Sequence, residues 1–214
     1  MESIIQSFVD ELKAKDSVVG IALFGSYARG EQRPNSDVDV LVVTTEGVWR
    51  DIEFRNGQAF EMVYASKKDT LDFYGKNPND AVQLWKDAKI VYDPQGVMEE
   101  IHQFAQELER KGKERPDAQK LKHLRFDAED KIRAIEYFKD KDRPTANLYL
   151  QILDNELLER CFDVHARWTP APKQRLKYLR VELKDFGNLF DELYQEMDLD
   201  KRIEISKRII QKLF

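Results

Sequence analysis

The sequence predicts an α+β domain followed by an all-α up-and-down helical bundle. Two observations carry that reading. Strand-like and helix-like segments alternate as far as Gly96, and beyond it only helical periodicity remains, cut by proline- and glycine-containing breaks. The division is expected near residues 94–97, giving domains of 1–96 and 97–214.

In the first half, Ile4, Ile5, Phe8, Val9 and Leu12 recur at helical spacing, so residues 2–15 read as an amphipathic helix. Val18 to Phe24 is a short apolar run ending at a glycine, suited to a strand buried on both faces. Residues 37–44 are β-branched and form a second strand. Asn56-Gly57 lies between strand-like segments 49–55 and 58–65, and both turn residues tolerate positive φ, which predicts a two-residue type I′ hairpin. Ser66 and Asn79 are expected to cap short helices over 67–75 and 80–87. Residues 89–92 make a last strand, closed by the turn Asp93-Pro94-Gln95-Gly96.

In the second half, helices are expected over 97–111, 117–140, 144–166, 171–184 and 187–212, the last broken near Asp198. Breaks come from residues 111–116, Asp142-Arg143-Pro144 and Thr169-Pro170-Ala171-Pro172. Leu148, Ile152, Leu153, Leu157 and Cys161 form a stripe expected in the bundle core.

Composition narrows the function. With 42% hydrophobic, 35% charged and 11% aromatic residues, the chain is globular rather than disordered. No apolar run approaches the roughly 20 residues that span a bilayer, and the start Met1-Glu2-Ser3-Ile4-Ile5 lacks the features of a signal peptide. One cysteine, Cys161, excludes an internal disulfide and argues against a thiolate zinc site. A reduced, cytoplasmic protein with no membrane partner is the expectation. A net charge of −5 argues against general nucleic-acid binding, which needs a basic field to replace phosphate counterions. Residues 1–96 carry 11 Lys+Arg against 16 Asp+Glu, so the excess of acid sits entirely in the first half.

The chemistry concentrates in Phe24-Gly25-Ser26-Tyr27-Ala28-Arg29-Gly30 and Ser36-Asp37-Val38-Asp39-Val40. A buried strand runs into Gly25-Ser26, where glycine lets the backbone approach a phosphate and the serine hydroxyl and freed N–H groups can bind its oxygens. Strand alternation puts Asp37 and Asp39 on one face and Val38 and Val40 on the other. Two adjacent carboxylates repel each other unless a cation neutralises them, and Mg²⁺ prefers oxygen ligands shared between carboxylates and substrate phosphates. The arrangement suggests metal-assisted nucleotidyl transfer, with the nucleoside triphosphate at Gly25-Ser26 and the metal at Asp37 and Asp39. The plain alternative is a helix cap at Ser26 and two solvent-facing acids.

This string resembles the signature of the polymerase-β-type nucleotidyltransferase superfamily, in particular the small bacterial aminoglycoside and lincosamide nucleotidyltransferases. The resemblance implies a mixed sheet flanked by helices, two divalent ions and a third carboxylate on a neighbouring strand. Glu61, within Phe60-Glu61-Met62-Val63-Tyr64, fits that third position, and an acid in an apolar strand is costly unless paired or metal-bound. Arg29 and Ser36 are frequent in the family. Arg29 is expected to contact phosphate or pair with Asp37, and Ser36 to bind nucleotide or fix the start of the strand. More weakly, Trp168-Thr169-Pro170-Ala171-Pro172-Lys173 resembles a break between bundle helices in such enzymes. Lys173 in the first turn of a helix opposes the helix dipole and is a candidate phosphate ligand.

The expected reaction moves a nucleoside monophosphate, AMP from ATP, to a hydroxyl of a small polar acceptor such as an aminoglycoside or lincosamide. The rival acceptor is a protein, as in antitoxin-like nucleotidyltransferases, and a third reading is a non-catalytic nucleotide-binding regulator. The helical half is assigned to acceptor binding or dimerisation, since related enzymes often form homodimers. Among Asp127, Glu129, Asp130, Asp154 and Glu156, spacing selects no general base. Arg160 and His165 also match the Arg-x4-His ribonuclease motif of HEPN domains, although a capping role for His165 is the simpler account.

Overall fold

The computed structural model describes residues 2–214, with side chains described from Ile4 onward. Met1, part of the stretch read as lacking a signal peptide, lies outside the described residues. The chain divides into two compact units, residues 1–111 and 112–214.

The first unit runs α1 (Glu2–Lys13), β1 (Val18–Phe24), α2 (Gly25–Arg29), β2 (Val38–Thr44), β3 (Trp49–Arg55), β4 (Gln58–Ala65), α3 (Lys67–Lys76), α4 (Pro78–Trp85), β5 (Lys89–Tyr92) and α5 (Val97–Lys111). The sheet order is β3-β4-β2-β1-β5. It is mixed: β2 and β4 are parallel, and the other neighbours are antiparallel. The β3–β4 hairpin turns at Asn56 (φ 49°) and Gly57 (φ 82°), the left-handed pair that a type I′ turn requires. Ser66 caps α3 by accepting a hydrogen bond from the Asp69 N–H. The cap of α4 is Asn77 rather than Asn79, because Pro78 fits the first helical position, where no N–H is needed.

Alternation divides the sheet's side chains between two apolar layers. Ile21, Leu23, Val38, Val40, Val42, Phe60, Met62 and Tyr64 pack with Phe8, Val9 and Leu12 of α1. On the opposite face, Ala22, Phe24, Leu41 and Val43 meet Tyr74 of α3, Ala81 and Trp85 of α4, and Met98, Ile101 and Ala105 of α5. Helix α5 therefore belongs to the first unit, and the division falls after Lys111 instead of at Gly96. Its apolar stripe finds its partner on β1, where Gly20 leaves room for Met98: a β-carbon there would lie 2.5 Å from the Met98 Cγ.

The second unit contains α6 (Ala118–Phe138), α7 (Arg143–Val164), α8 (Pro172–Glu182), α9 (Lys184–Gln195) and α10 (Leu199–Leu213). The expected break near Asp198 is real, and Asp198 caps α10 through the Lys201 N–H. Helix α7 buries Ala146, Leu150, Leu153, Leu157 and Cys161. Leu148 (57% exposed) and Ile152 (41%) lie outside this core, contrary to expectation. Apolar residues surround α7 on more than one face, so spacing alone admitted two stripes. No described helix is long and apolar enough to cross a membrane.

Candidate active site

The site is built on the parallel pairing of β2 and β4. Their register sets Asp39 directly beside Glu61, with Val38 beside Phe60 and Val40 beside Met62. Paired residues project to the same face, so the apolar neighbours turn toward α1 while both acids turn the other way. Asp37 stands just before β2, at period two from Asp39. Ligand oxygens of Asp37, Asp39 and Glu61 lie within 4.8 Å of one another. Asp37 is exposed and the other two are partly buried.

These three acids suit a hard cation. Oxygens around an octahedral Mg²⁺ sit about 2.9 Å apart when adjacent and about 4.2 Å when opposite, given Mg–O bonds of 2.0–2.1 Å, so the three carboxylates must draw together to share one ion. Asp37, Asp39 and Glu61 are the residues that would hold it. In this structure the Arg50 guanidinium, reaching across from β3, forms an ion pair with Glu61. Arg50 was not anticipated from sequence, because its pairing depends on the β3–β4 register.

Gly25 follows β1 with φ +65°, and it meets Asp39 closely: a β-carbon there would lie 2.0 Å from the Asp39 Oδ2. Glycine is thus demanded twice, by the left-handed backbone and by the carboxylate packed against its Cα. Ser26 is buried, and its carbonyl accepts hydrogen bonds from the N–H groups of Gly30 and Glu31, closing the short α2.

The remaining candidates are placed differently. Arg29 pairs with Glu31 at 2.9 Å and Asp87 at 3.6 Å, not with Asp37. Ser36 holds the start of β2: its Oγ accepts from the Arg33 N–H at 2.9 Å, and its own N–H donates to the Arg33 carbonyl at 3.0 Å. Gln58, which the sequence marks only as the first residue of the strand-like segment 58–65, is buried and bonded to both Ser36 and Tyr27. Lys173 lies in the second unit, exposed in the first turn of α8.

The other polar candidates of the second unit bond to neighbours within it. Arg160 donates to Glu156 at 2.6 Å and to the Leu124 carbonyl at 2.9 Å. His165 terminates α7, its Nδ1–H donating to the Cys161 carbonyl at 2.7 Å while its ring stands edge-on to Phe186. The carbonyl can only accept, which fixes the proton on Nδ1. Asp154 is 2% exposed and bonded to Arg202 at 2.5 Å and to Ser206 at 3.3 Å. Burial pushes its carboxyl above the usual range, opposed by the Arg202 charge. Glu129 and Asp130 pair with Arg125 and Arg133 on their own helix.

The family model described as nucleotidyltransferase domain matches residues 5–186. The protein adenylyltransferase MntA of Thermococcus cleftensis is 48% identical over 42 residues, which is 20% of this chain and 42% of that protein. A candidate protein adenylyltransferase of Methanocaldococcus jannaschii is also 48% identical over 42 residues, 20% of this chain and 49% of its own length. The chain thus spans less than half the length of the curated relatives it matches. The crystal structure of a nucleotidyltransferase-like protein from Exiguobacterium sibiricum superposes with a TM-score of 0.53 at 14% identity, covering 100% of this chain and 74% of that one. That likeness shows the fold. With the family match extending over residues 5–186, the chain belongs to the nucleotidyltransferase domain family.

Proposed function

We propose that this chain transfers AMP from ATP to a hydroxyl group of a protein, using divalent metal held by Asp37, Asp39 and Glu61. The observation that carries the reading is the convergence of three carboxylates beside Gly25, at the mouth of the Gly25-Ser26 turn. Mg²⁺, when bound, supplies charge neutralisation for the attacking and leaving oxygens. The protein's residues do the positioning. Gly25 and Ser26 bind the triphosphate, and Arg29 and Ser36 hold the two ends of the segment that joins this turn to β2. The acceptor oxygen bonds to the α-phosphorus as the bond to the bridging oxygen breaks. Pyrophosphate departs with the electron pair, and the hydroxyl gives its proton to a base.

A protein acceptor is preferred over an aminoglycoside or lincosamide because the matched relatives are named as protein adenylyltransferases. The surface beside Glu61 suits it. Ile52, paired with Glu61 across the hairpin, and Phe54 lie on the carboxylate face of the edge strand β3, 60% and 73% exposed. Such a row offers contact to apolar side chains flanking a hydroxyl.

The test is incubation with Mg²⁺ and ATP labelled at the α-phosphate, alongside panels of proteins, aminoglycosides and lincosamides. Label on protein, lost in Asp39→Ala, is the expected result. Label only on a small molecule would transfer the assignment to that acceptor class. Pyrophosphate release unchanged by Asp39→Ala would overturn the metal site.

A further inference from the structure

We infer that Gln58 is a positioning residue for the carboxylate site, locking the turn at Gly25-Ser26, the start of β2 and strand β4 into one geometry. The inference rests on the metal-dependent reading above and deepens it. Gln58 is 9% exposed and opens β4. Its Nε2 donates to the Ser36 carbonyl at 2.7 Å and to the Ala59 carbonyl at 3.0 Å. Its Oε1 accepts from the Tyr27 hydroxyl at 2.7 Å. Two carbonyls can only accept, so the partners themselves fix which end of the amide is nitrogen.

The identity of those partners gives the network its meaning. Tyr27 follows Ser26, Ser36 precedes Asp37, and Gln58 lies on the strand that carries Glu61. One side chain therefore ties together the three segments that supply the candidate site residues. The backbone ladder between β2 and β4 begins at Val38 and Phe60, so Asp39 and Glu61 are held by it and Asp37 is not. The Gln58–Ser36 bond continues the link between the strands just where the ladder stops. Asp37, exposed and beyond the last rung, is the carboxylate whose placement depends on it most. Gln58 acts through Ser36 and the backbone of Asp37.

The experiment is a titration of the whole chain with Mn²⁺, followed by electron paramagnetic resonance in the absence of nucleotide, with circular dichroism to verify folding. Gln58→Met keeps the length and apolar bulk of the side chain and removes all three bonds. Removing outer partners of metal ligands typically weakens metal binding 10–100-fold, so the Mn²⁺ dissociation constant should rise by about tenfold or more. Tyr27→Phe removes one anchor and should weaken binding less. Combined with Gln58→Met it should add little, because both variants disrupt the same network. Folded Gln58→Met with wild-type Mn²⁺ affinity overturns the inference. Should Gln58→Met fail to fold, Tyr27→Phe decides, and unchanged affinity there overturns it equally. An Asp39→Ala chain that still binds Mn²⁺ like wild type refutes the underlying metal site instead, so the two failures are separable.

Discussion

Replacing Gly25 with alanine tests the geometry of the site more sharply than removing a carboxylate. Two effects follow from one methyl group. The backbone sits at φ +65°, where a residue with a β-carbon costs about 1–2 kcal/mol, a modest fraction of the roughly 5–15 kcal/mol that holds a domain together. The new β-carbon would also lie 2.0 Å from the Asp39 Oδ2, which must retreat by about 1 Å to reach even a 3.0 Å contact. A misplacement of that size costs on the order of 100-fold in rate. Gly30→Ala is the matched control, since Gly30 has φ +70° but a β-carbon there meets nothing within 4 Å. Both variants should lose a similar, small amount of stability, about 2–4 °C in Tm for each kcal/mol. Only Gly25→Ala should lose transfer of label from ATP, by about 100-fold. Equal loss of activity in both variants, or full activity in Gly25→Ala, would refute the argument.

Three further outcomes are expected in the helical unit. Ala166 sits at φ 51° just after α7, where the Arg167 N–H bonds to the Phe162 carbonyl and the Ala166 N–H to that of Asp163, the bonding of a Schellman cap. Ala166→Gly should stabilise the chain by about 1 kcal/mol in urea unfolding, and a lowered midpoint would contradict this. Asp154→Ala leaves the Arg202 guanidinium without its buried partner and should cost about 3–5 kcal/mol by the same measurement; a loss under about 1 kcal/mol would show the pair to be dispensable. Burial pushes the Cys161 thiol up to about 12, so iodoacetamide at pH 8 should leave it unmodified until urea is added. Its raised value contributes stability that is complete below the unfolded thiol's value near 8.5 and lost as pH rises toward 12.

What could be read in advance was local. The apolar run Val18–Phe24, the Asn56-Gly57 turn and the period-two aspartates each declare themselves within a few residues, because a strand, a turn and a shared face are short-range properties. The allegiance of α5 was not legible. Its stripe of Met98, Ile101 and Ala105 announces a buried face, but only the gap at Gly20 shows which surface receives it. The same limit hid the Gln58 network, whose partners Tyr27 and Ser36 lie 31 and 22 residues away. For Arg29 the sequence offers a phosphate contact or a pairing with Asp37, whereas the fold pairs it with Glu31 and Asp87. Glu61 could be suggested from its apolar setting and from resemblance, yet its place beside Asp39 required the parallel register.

That register has a consequence for how the site tolerates change. The gap between Asp39 and Glu61 is one rung of a peptide ladder, about 4.8 Å, and so is set by backbone geometry common to all sheets. The sheet acts as a ruler whose graduations mutation of side chains cannot redraw. Core substitutions in Val40, Val42 or Met62 can soften the packing while leaving the graduation intact. What the ruler cannot survive is a slip of one residue, which would turn Glu61 to the opposite face and bring Met62 in its place. Insertions that lengthen the β3–β4 hairpin away from Gln58 leave the scale untouched, whereas a single added residue between Gln58 and Glu61 shifts every mark.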